Sequence, residues 1–359
     1  MEEIRLMKGN EAIAHAAIRY GCDGYFGYPI TPQSEVLETL EALMPWDTTG
    51  MVVLQAESEV AAINMVYGGA ATGKAVMTSS SSPGVSLKQE GISYIAASSL
   101  PALILNVMRG GPGLGTIQPS QADYFQAVKG GGHGDYHLIV LAPSTVQEMA
   151  DFVGLGFDLA FKYCNPAMIL ADGIVGQMME KVVLPEQRPR RTDAEIREQC
   201  PWAVTGREGR RKRNVVTSLE LESDKMEVIN HKLQEKYREI EANETRWEEI
   251  GTEDADWLIV SFGSVARIST KAKELAEEEG LKVGVLRPIT LWPFPSEAIR
   301  KAAEGKKGIL VVELNAGQMV EDVRLAVHDA LPVKHFGRMG GIIPSPSEIV
   351  NALKGMVND

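Results

Sequence analysis

The chain has 359 residues, of which 36 are Lys or Arg and 48 Asp or Glu, for a formal net charge of −12; 44% are hydrophobic and 23% charged. That composition excludes a mainly disordered chain, a collagen-like repeat and a membrane-embedded bundle. The acidic balance argues against a nucleic-acid binder, which needs clustered cations against phosphate.

At ~100–200 residues per domain the length predicts two domains. A helix is predicted over residues 11–20, ended by Gly21, then a strand over 24–28. Thr31 reads as an N-cap and Pro32 as the first residue of a helix to about 42. Val52 to Gln55 reads as a buried strand. The stretch 59–69 reads as a helix with Ala61, Ala62, Met65 and Val66 on one face. A strand over 75–78 leads into the serines 79–82, read as a flexible loop. A helix over 85–98 and a strand over 102–108 follow. Then come a strand over 139–141, a helix over 145–161 and a strand over 167–170. Apolar runs of four to seven residues alternating with helices predict a parallel sheet covered on both faces.

Composition shifts near Lys181. The basic run 207–213 reads as a solvated loop. An acidic amphipathic helix over 224–249 follows, with Met226, Leu233, Ile240 and Trp247 seven residues apart, predicted to lie on the domains rather than to form a coiled coil. A second α/β unit begins at Trp257, with strands over 258–263, 282–286 and 308–312 and helices over 264–279 and 318–330. The predicted organisation is a first domain at 1–185, a charged linker at 186–255 and a second domain at 256–359, each domain an open, mostly parallel sheet with helices on both faces.

The three cysteines, Cys22, Cys164 and Cys200, form no Cys-x-x-Cys and are too few for a structural zinc or an iron–sulfur cluster. An odd number fits a reducing cytoplasm better than a disulfide framework. The first residues show no signal-peptide core, and no stretch reaches ~18 apolar residues, so no membrane span is expected. Several motifs fail on context. Gly68-x-x-x-x-Gly73-Lys74 is followed by Ala75 rather than a magnesium-binding hydroxyl. Gly110 to Gly115 lacks the helix and acid of a dinucleotide fold. His133 and His137 sit among glycines, where a spacing of four does not align them on a metal.

Three places remain. Tyr28-Pro29-Ile30-Thr31-Pro32 puts a hydroxyl at a strand-to-helix switch. Glu57-Ser58-Glu59 opens an Ala-rich helix, where acids also simply complement the helix dipole. Arg109 ends a long apolar strand, either as a solvated terminus or as an anion clamp. Together with the Ser-Pro-Gly segment at 82–84 and RGGPGLGT at 109–116, these resemble the alpha-type subunit of 2-oxoacid:ferredoxin oxidoreductases. LRPITLWPFP at 286–295 is similar to that family's transketolase C-terminal-like domain.

The resemblance implies a thiamine diphosphate pyrimidine-binding fold followed by a transketolase C-terminal-like fold. It is nearest to the 2-oxoisovalerate (branched-chain) enzymes, with the 2-oxoglutarate enzymes next. Thiamine diphosphate needs a carboxylate against N1′ of its aminopyrimidine. The resemblance gives that task to Glu59, with Glu57 the alternate. It gives substrate contacts to Thr31 and Arg109 and cofactor contacts to Tyr28, Pro29, Ile30 and Ser82. It implies oxidative decarboxylation of a 2-oxoacid to acyl-CoA and CO2, with ferredoxin accepting the electrons. No Gly-Asp-Gly segment for the diphosphate and Mg2+ is found; the nearest is Ala171-Asp172-Gly173. Hence a half-site is expected, completed by another subunit that carries the diphosphate and Mg2+. Iron–sulfur clusters are expected on partners, with ferredoxin-like and gamma-type subunits in the complex. The rivals are a complete thiamine enzyme and a non-catalytic structural or regulatory subunit on the same fold.

Overall fold

A computed structural model of the chain describes residues 3–207 and 213–358. The first half begins with β1 (Glu3–Lys8), α1 (Gly9–Arg19), β2 (Gly24–Gly27), α2 (Ser34–Leu43), α3 (Pro45–Thr48), β3 (Val52–Gln55) and α4 (Glu59–Ala71). It continues through β4 (Val76–Ser80), α5 (Ser82–Ala97), β5 (Leu103–Met108), α6 (Tyr124–Val128), β6 (Ile139–Leu141), α7 (Val146–Tyr163), β7 (Ala167–Asp172), α8 (Gly173–Gln177) and β8 (Met179–Leu184). Next are α9 (Asp193–Gln199), α10 (Ser223–Asn243), β9 (Trp247–Ile250), β10 (Trp257–Val260), α11 (Gly263–Glu278), β11 (Val283–Pro288) and β12 (Thr290–Trp292). The chain ends with α12 (Ser296–Ala303), β13 (Gly308–Glu313), α13 (Met319–Val327), β14 (Val333–Gly337) and α14 (Pro346–Val357).

These form a seven-stranded sheet of order β12-β6-β7-β5-β4-β2-β3 and a five-stranded sheet of order β14-β13-β10-β11-β9. Within each, one edge strand is antiparallel, β12 on β6 and β9 on β11, and the rest are parallel. The central strands β4, β5 and β7 are buried along their whole length, as continuous apolar strands between two helix layers must be. A separate antiparallel ribbon pairs β1 with β8.

Five local readings are corrected. β3 is an edge strand rather than a buried one, with Val52 49% and Leu54 39% exposed; its composition does not distinguish an edge from a centre. Thr31 does not cap α2, which starts at Ser34, because Gln33 N–H bonds Ile30 O and closes a turn first. The serines are not a flexible loop: Ser79 and Ser80 end β4, Ser82 opens α5, and Ser79 to Ser81 are buried. Met65 faces outward, and α4 buries Ala62, Ile63, Val66 and Ala70 instead. The acidic helix stops at Asn243, and Trp247 opens strand β9, exposed. The basic run at 207–213 falls mostly outside the described residues.

The helix α10 lies on the body of the protein, as its periodicity predicts, with Leu233, Tyr237 and Ile240 buried. Tyr237 packs edge-on to Trp292 at 5.6 Å, and His137 stacks on the same indole at 4.6 Å, so His137 serves packing. The two sheets are joined by polar bonds as well as by β12. Gln121 donates to Phe262 O at 2.8 Å and accepts from Leu314 N at 3.1 Å. Asp172, the residue nearest to a diphosphate motif, accepts from the backbone of Ser264 at 2.9 Å and of Ile174 at 3.0 Å. Burial raises its pKa, against those bonds.

Arg287 on β11 reaches across to α7, pairing with Glu148 at 2.6 and 2.7 Å and bonding Ser144. Burial pushes the Glu148 carboxyl up, but Arg287 and Ser144 outweigh it and hold it below its usual value of 4.5. A carboxyl with lower proton affinity folded than unfolded stabilises the fold fully above its ordinary pKa and loses that contribution as pH falls through the folded value. Arg287→Ala is therefore expected to cost about 3 kcal/mol in denaturant unfolding near neutral pH, since it leaves Glu148 unpaired under cover. The same variant is expected to flatten the loss of stability that the parent shows on acidification below about pH 4.5.

Candidate functional site

Parallel strands deliver their C-terminal ends to one side of the sheet, where open α/β folds place ligands. Here β2 runs into Tyr28 to Gln33, β3 into α4, β4 into α5 and β5 into Arg109. The turn at 28–33 is fixed from below. Gln33 is fully buried, donates to Tyr28 O at 3.1 Å and accepts from Ser79 Oγ, which is 2.6 Å from the Tyr25 hydroxyl. Tyr28 and Ile30 are half-buried above it, and Pro29 and Thr31 are exposed.

Glu59 is the first residue of α4 and is only 7% exposed. Ser58 caps the helix, accepting from Ala61 N at 3.2 Å. Among the described residues no hydrogen bond reaches the Glu59 carboxylate. It lies against the first turn of α5, where a Cβ on Gly84 would fall 2.8 Å from Glu59 Oε1 and 2.2 Å from Ser80 Oγ. Glycine is needed there for space, not for backbone angle. Glu57 is exposed, with Oε1 accepting from Ser58 Oγ at 3.0 Å. Ser80 and Ser81 hydroxyls are buried without partners. A carboxylate without a partner beside orphaned hydroxyls fits a nitrogen heterocycle that offers a donor to the acid.

Arg109 is 8% exposed and spans the two rim loops, donating to Thr31 O at 2.9 Å and Leu114 O at 3.0 Å. Its Nε is buried without a partner. Ser82 accepts from Arg109 N at 3.1 Å and bonds Asp123 Oδ2 at 2.6 Å. Burial raises the Asp123 carboxyl's pKa, against bonds from Ser82 and Asn106. Arg109, Thr31 and Ser82 are thus joined directly, while Glu59 meets the group through the first turn of α5. A cleft of about 470 Å³ opens between that turn, the 111–113 loop and the 314–318 and 339–340 segments.

Sequence reasoning gave no role to Gln33 or Lys88, and placed Ser79 and Gly84 in motifs without assigning either a task. Lys88 is fully buried one turn after Gly84 on α5, and a spacing of four on a helix was the available signal. Its ammonium donates to Thr78 Oγ1 at 2.7 Å and Ser79 O at 3.0 Å. Among the described residues no group of three His, Cys, Asp or Glu is arranged to hold a metal ion, and no helix is long and apolar enough to cross a membrane. The outer side of α4 and α5 carries exposed Val60, Met65 and Leu87, beside the exposed edge of β3.

Residues 15–248 match the family described as pyruvate flavodoxin/ferredoxin oxidoreductase, thiamine diphosphate-binding, and residues 255–349 match pyruvate:ferredoxin oxidoreductase core domain II. The chain is 49% identical over 355 residues to ketoisovalerate oxidoreductase subunit VorB of Methanothermobacter marburgensis, covering 99% of this chain and 98% of that one. It is 36% identical over 392 residues to 2-oxoglutarate synthase subunit KorA of the same organism, covering 99% and 100%. Among solved structures, it aligns with the 2-oxoglutarate:ferredoxin oxidoreductase from Magnetococcus marinus with 2-oxoglutarate, coenzyme A and succinyl-CoA bound, at a TM-score of 0.86 and 29% identity. That alignment covers 99% of this chain and 65% of the other, so this chain spans about two thirds of that longer polypeptide.

The close contact at Gly84 sets a test of the site's packing. Gly84→Ala is expected to destabilise the chain by about 1–3 kcal/mol in chemical denaturation, because a methyl must displace Ser80 or Glu59. Gly68→Ala, in open space within α4, is expected to be neutral or to stabilise by up to about 1 kcal/mol.

Proposed function

Because the chain belongs to the 2-oxoacid:ferredoxin oxidoreductase family, as a subunit of the alpha type, we propose that Glu59 is the acid that meets the aminopyrimidine of thiamine diphosphate in a site completed by a second subunit. The observation that carries this is the buried Glu59 carboxylate without a hydrogen-bond partner among the described residues, packed closely on Gly84 at the start of α5. Thiamine diphosphate, when bound, supplies the electron sink for decarboxylating a 2-oxoacid. With the cofactor bound, the Glu59 oxygens would accept from the ring nitrogen, and the two helix N-termini beside them suit an acid at that place. Glu57 points its charge to water and is the weaker choice. Tyr28, Pro29 and Ile30, on a turn that buried Gln33 fixes from below, would form the wall of the ring site.

Arg109 acts first on the rim, tying the Thr31 and Leu114 carbonyls, and presents its remaining N–H groups to the substrate carboxylate. Ser82 ties Arg109 to α5 and Asp123, and from the cleft wall it would also meet the cofactor. The partner is a subunit holding the diphosphate and Mg2+. Iron–sulfur clusters lie on other subunits, and CoA and ferredoxin complete the reaction to acyl-CoA and CO2. The exposed Val52, Leu54, Val60, Met65 and Leu87 supply an apolar face suited to such a partner. Three free cysteines support a cytoplasmic setting.

A branched-chain 2-oxoacid is favoured over 2-oxoglutarate. The cleft beside Arg109 is lined by Pro83, Pro112, Leu314 and Met339 together with the neutral Asn315 and Gln318, and among the described residues Asp123 is its one ionisable side chain. A second substrate carboxylate would meet that acid with no cation to pair with. In the reconstituted complex, Glu59→Gln is expected to lower kcat at least tenfold with folding intact. Arg109→Ala is expected to cut kcat/KM about 30-fold, chiefly through KM. Wild-type kinetics in both variants contradict the assignment, and a preference for 2-oxoglutarate over 2-oxoisovalerate contradicts the substrate reading.

A further inference from the structure

Asp123 stands just before α6, where an aspartate ordinarily turns its side chain onto the free N–H groups of its own helix. Here it makes no such cap. Its Oδ2 instead accepts from Ser82 Oγ at 2.6 Å and from Asn106 Nδ2 at 2.9 Å, so it reaches from its own loop to α5 and β5 at once. A serine hydroxyl has one proton to give. The 2.6 Å bond to Asp123 claims it ahead of the 3.2 Å approach to Arg109 O. That leaves a lone pair on Ser82 Oγ for the Arg109 backbone N–H at 3.1 Å.

The loop that Asp123 ends also holds the Arg109 guanidinium. Arg109 is bridged to Pro119, and Gly110 N donates to Gln118 O at 2.9 Å, so the loop closes at its base. Its carbonyl at Leu114 accepts from Arg109 Nη2 at 3.0 Å. The Leu114 side chain is 83% exposed, so this tip has little packing of its own and its place follows from the base. We propose that Asp123 is a positioning residue for Arg109: by orienting the Ser82 hydroxyl it pins both limbs of the 109–123 loop to α5, and so fixes where the guanidinium meets the substrate carboxylate. This rests on the reading of Arg109 as the carboxylate clamp and adds the residue that aims it. A directed, charge-assisted contact weakens steeply when its donors are turned away. The clamp acts on the bound substrate, so losing its aim is expected to raise KM rather than to lower kcat.

The test is steady-state kinetics on 2-oxoisovalerate in the reconstituted complex, at saturating CoA and ferredoxin, after thermal melting has established folding. Asp123→Ala and Asp123→Leu both remove the acceptor, and Leu keeps most of the volume. Each is expected to raise KM about tenfold and to leave kcat within about twofold. Asp123→Asn keeps an acceptor oxygen for Ser82 and is expected to bring KM back to within about threefold of the parent. Added to Ser82→Ala or to Arg109→Ala, Asp123→Ala is expected to change KM by less than about twofold, because residues acting in one chain do not add. A parent-like KM in folded Asp123→Ala and Asp123→Leu overturns the proposal. So does a further tenfold loss in either double variant, or a failure of both acceptor-free variants to fold, which marks a purely structural acid. Arg109→Ala separates the two claims. If it leaves KM at the parent value, the clamp and this inference fall together. If it raises KM while the acceptor-free Asp123 variants do not, only Asp123 is misassigned.

Discussion

A carboxylate survives under cover only where something favours its charge, and the site is organised around one such acid. Glu59 starts α4 and presses against the start of α5, so two helix N-termini converge on it. The approach depends on Gly84, because any side chain there would occupy the space of Ser80 and Glu59. Everything that positions these helices therefore bears on the acid. β4 and β5, buried throughout, fix the start of α5; Ser82 ties that start to Arg109; and Arg109 ties the two rim loops together.

The second half of the chain serves the same end from a distance. β12 extends the first sheet, Gln121 and Asp172 bond segments of both halves, and Arg287 pairs with Glu148 across the seam. The cleft beside Arg109 is walled by both halves, so a shift at the seam would reshape it. Asp172 illustrates how a motif-like residue serves architecture, since it accepts backbone N–H groups from segments of both halves.

Much of the fold was legible in the sequence because buried parallel strands announce themselves as short apolar runs between helices. The alternation around β4, β5 and β7 was read directly. Thr31 was misread because a turn closed by Gln33 N–H on Ile30 O precedes α2, and the serine run because Gln33 and Ser79 bond each other across 46 residues, a contact no local pattern carries. Val52 and Leu54 were read as buried because hydrophobicity does not say which strand has no neighbour beyond it. Trp247 kept a heptad spacing past the true end of α10 and pairs instead in β9. Of the site, the Tyr28 to Thr31 turn, Glu59 and Arg109 stood out as motifs. Gly84 stood out only as part of the Ser-Pro-Gly motif, because its task comes from which helix Glu59 leans on.

The central claim is that this chain holds only the pyrimidine-facing half of a thiamine diphosphate site, and calorimetric titration of the cofactor with Mg2+ tests it most directly. The account predicts no tight binding to the isolated chain, tight binding once the partner subunit is added, and weakened binding when the added mixture contains Glu59→Ala. Tight Mg2+-dependent binding by the isolated chain, or full binding in the Glu59→Ala complex, would contradict it.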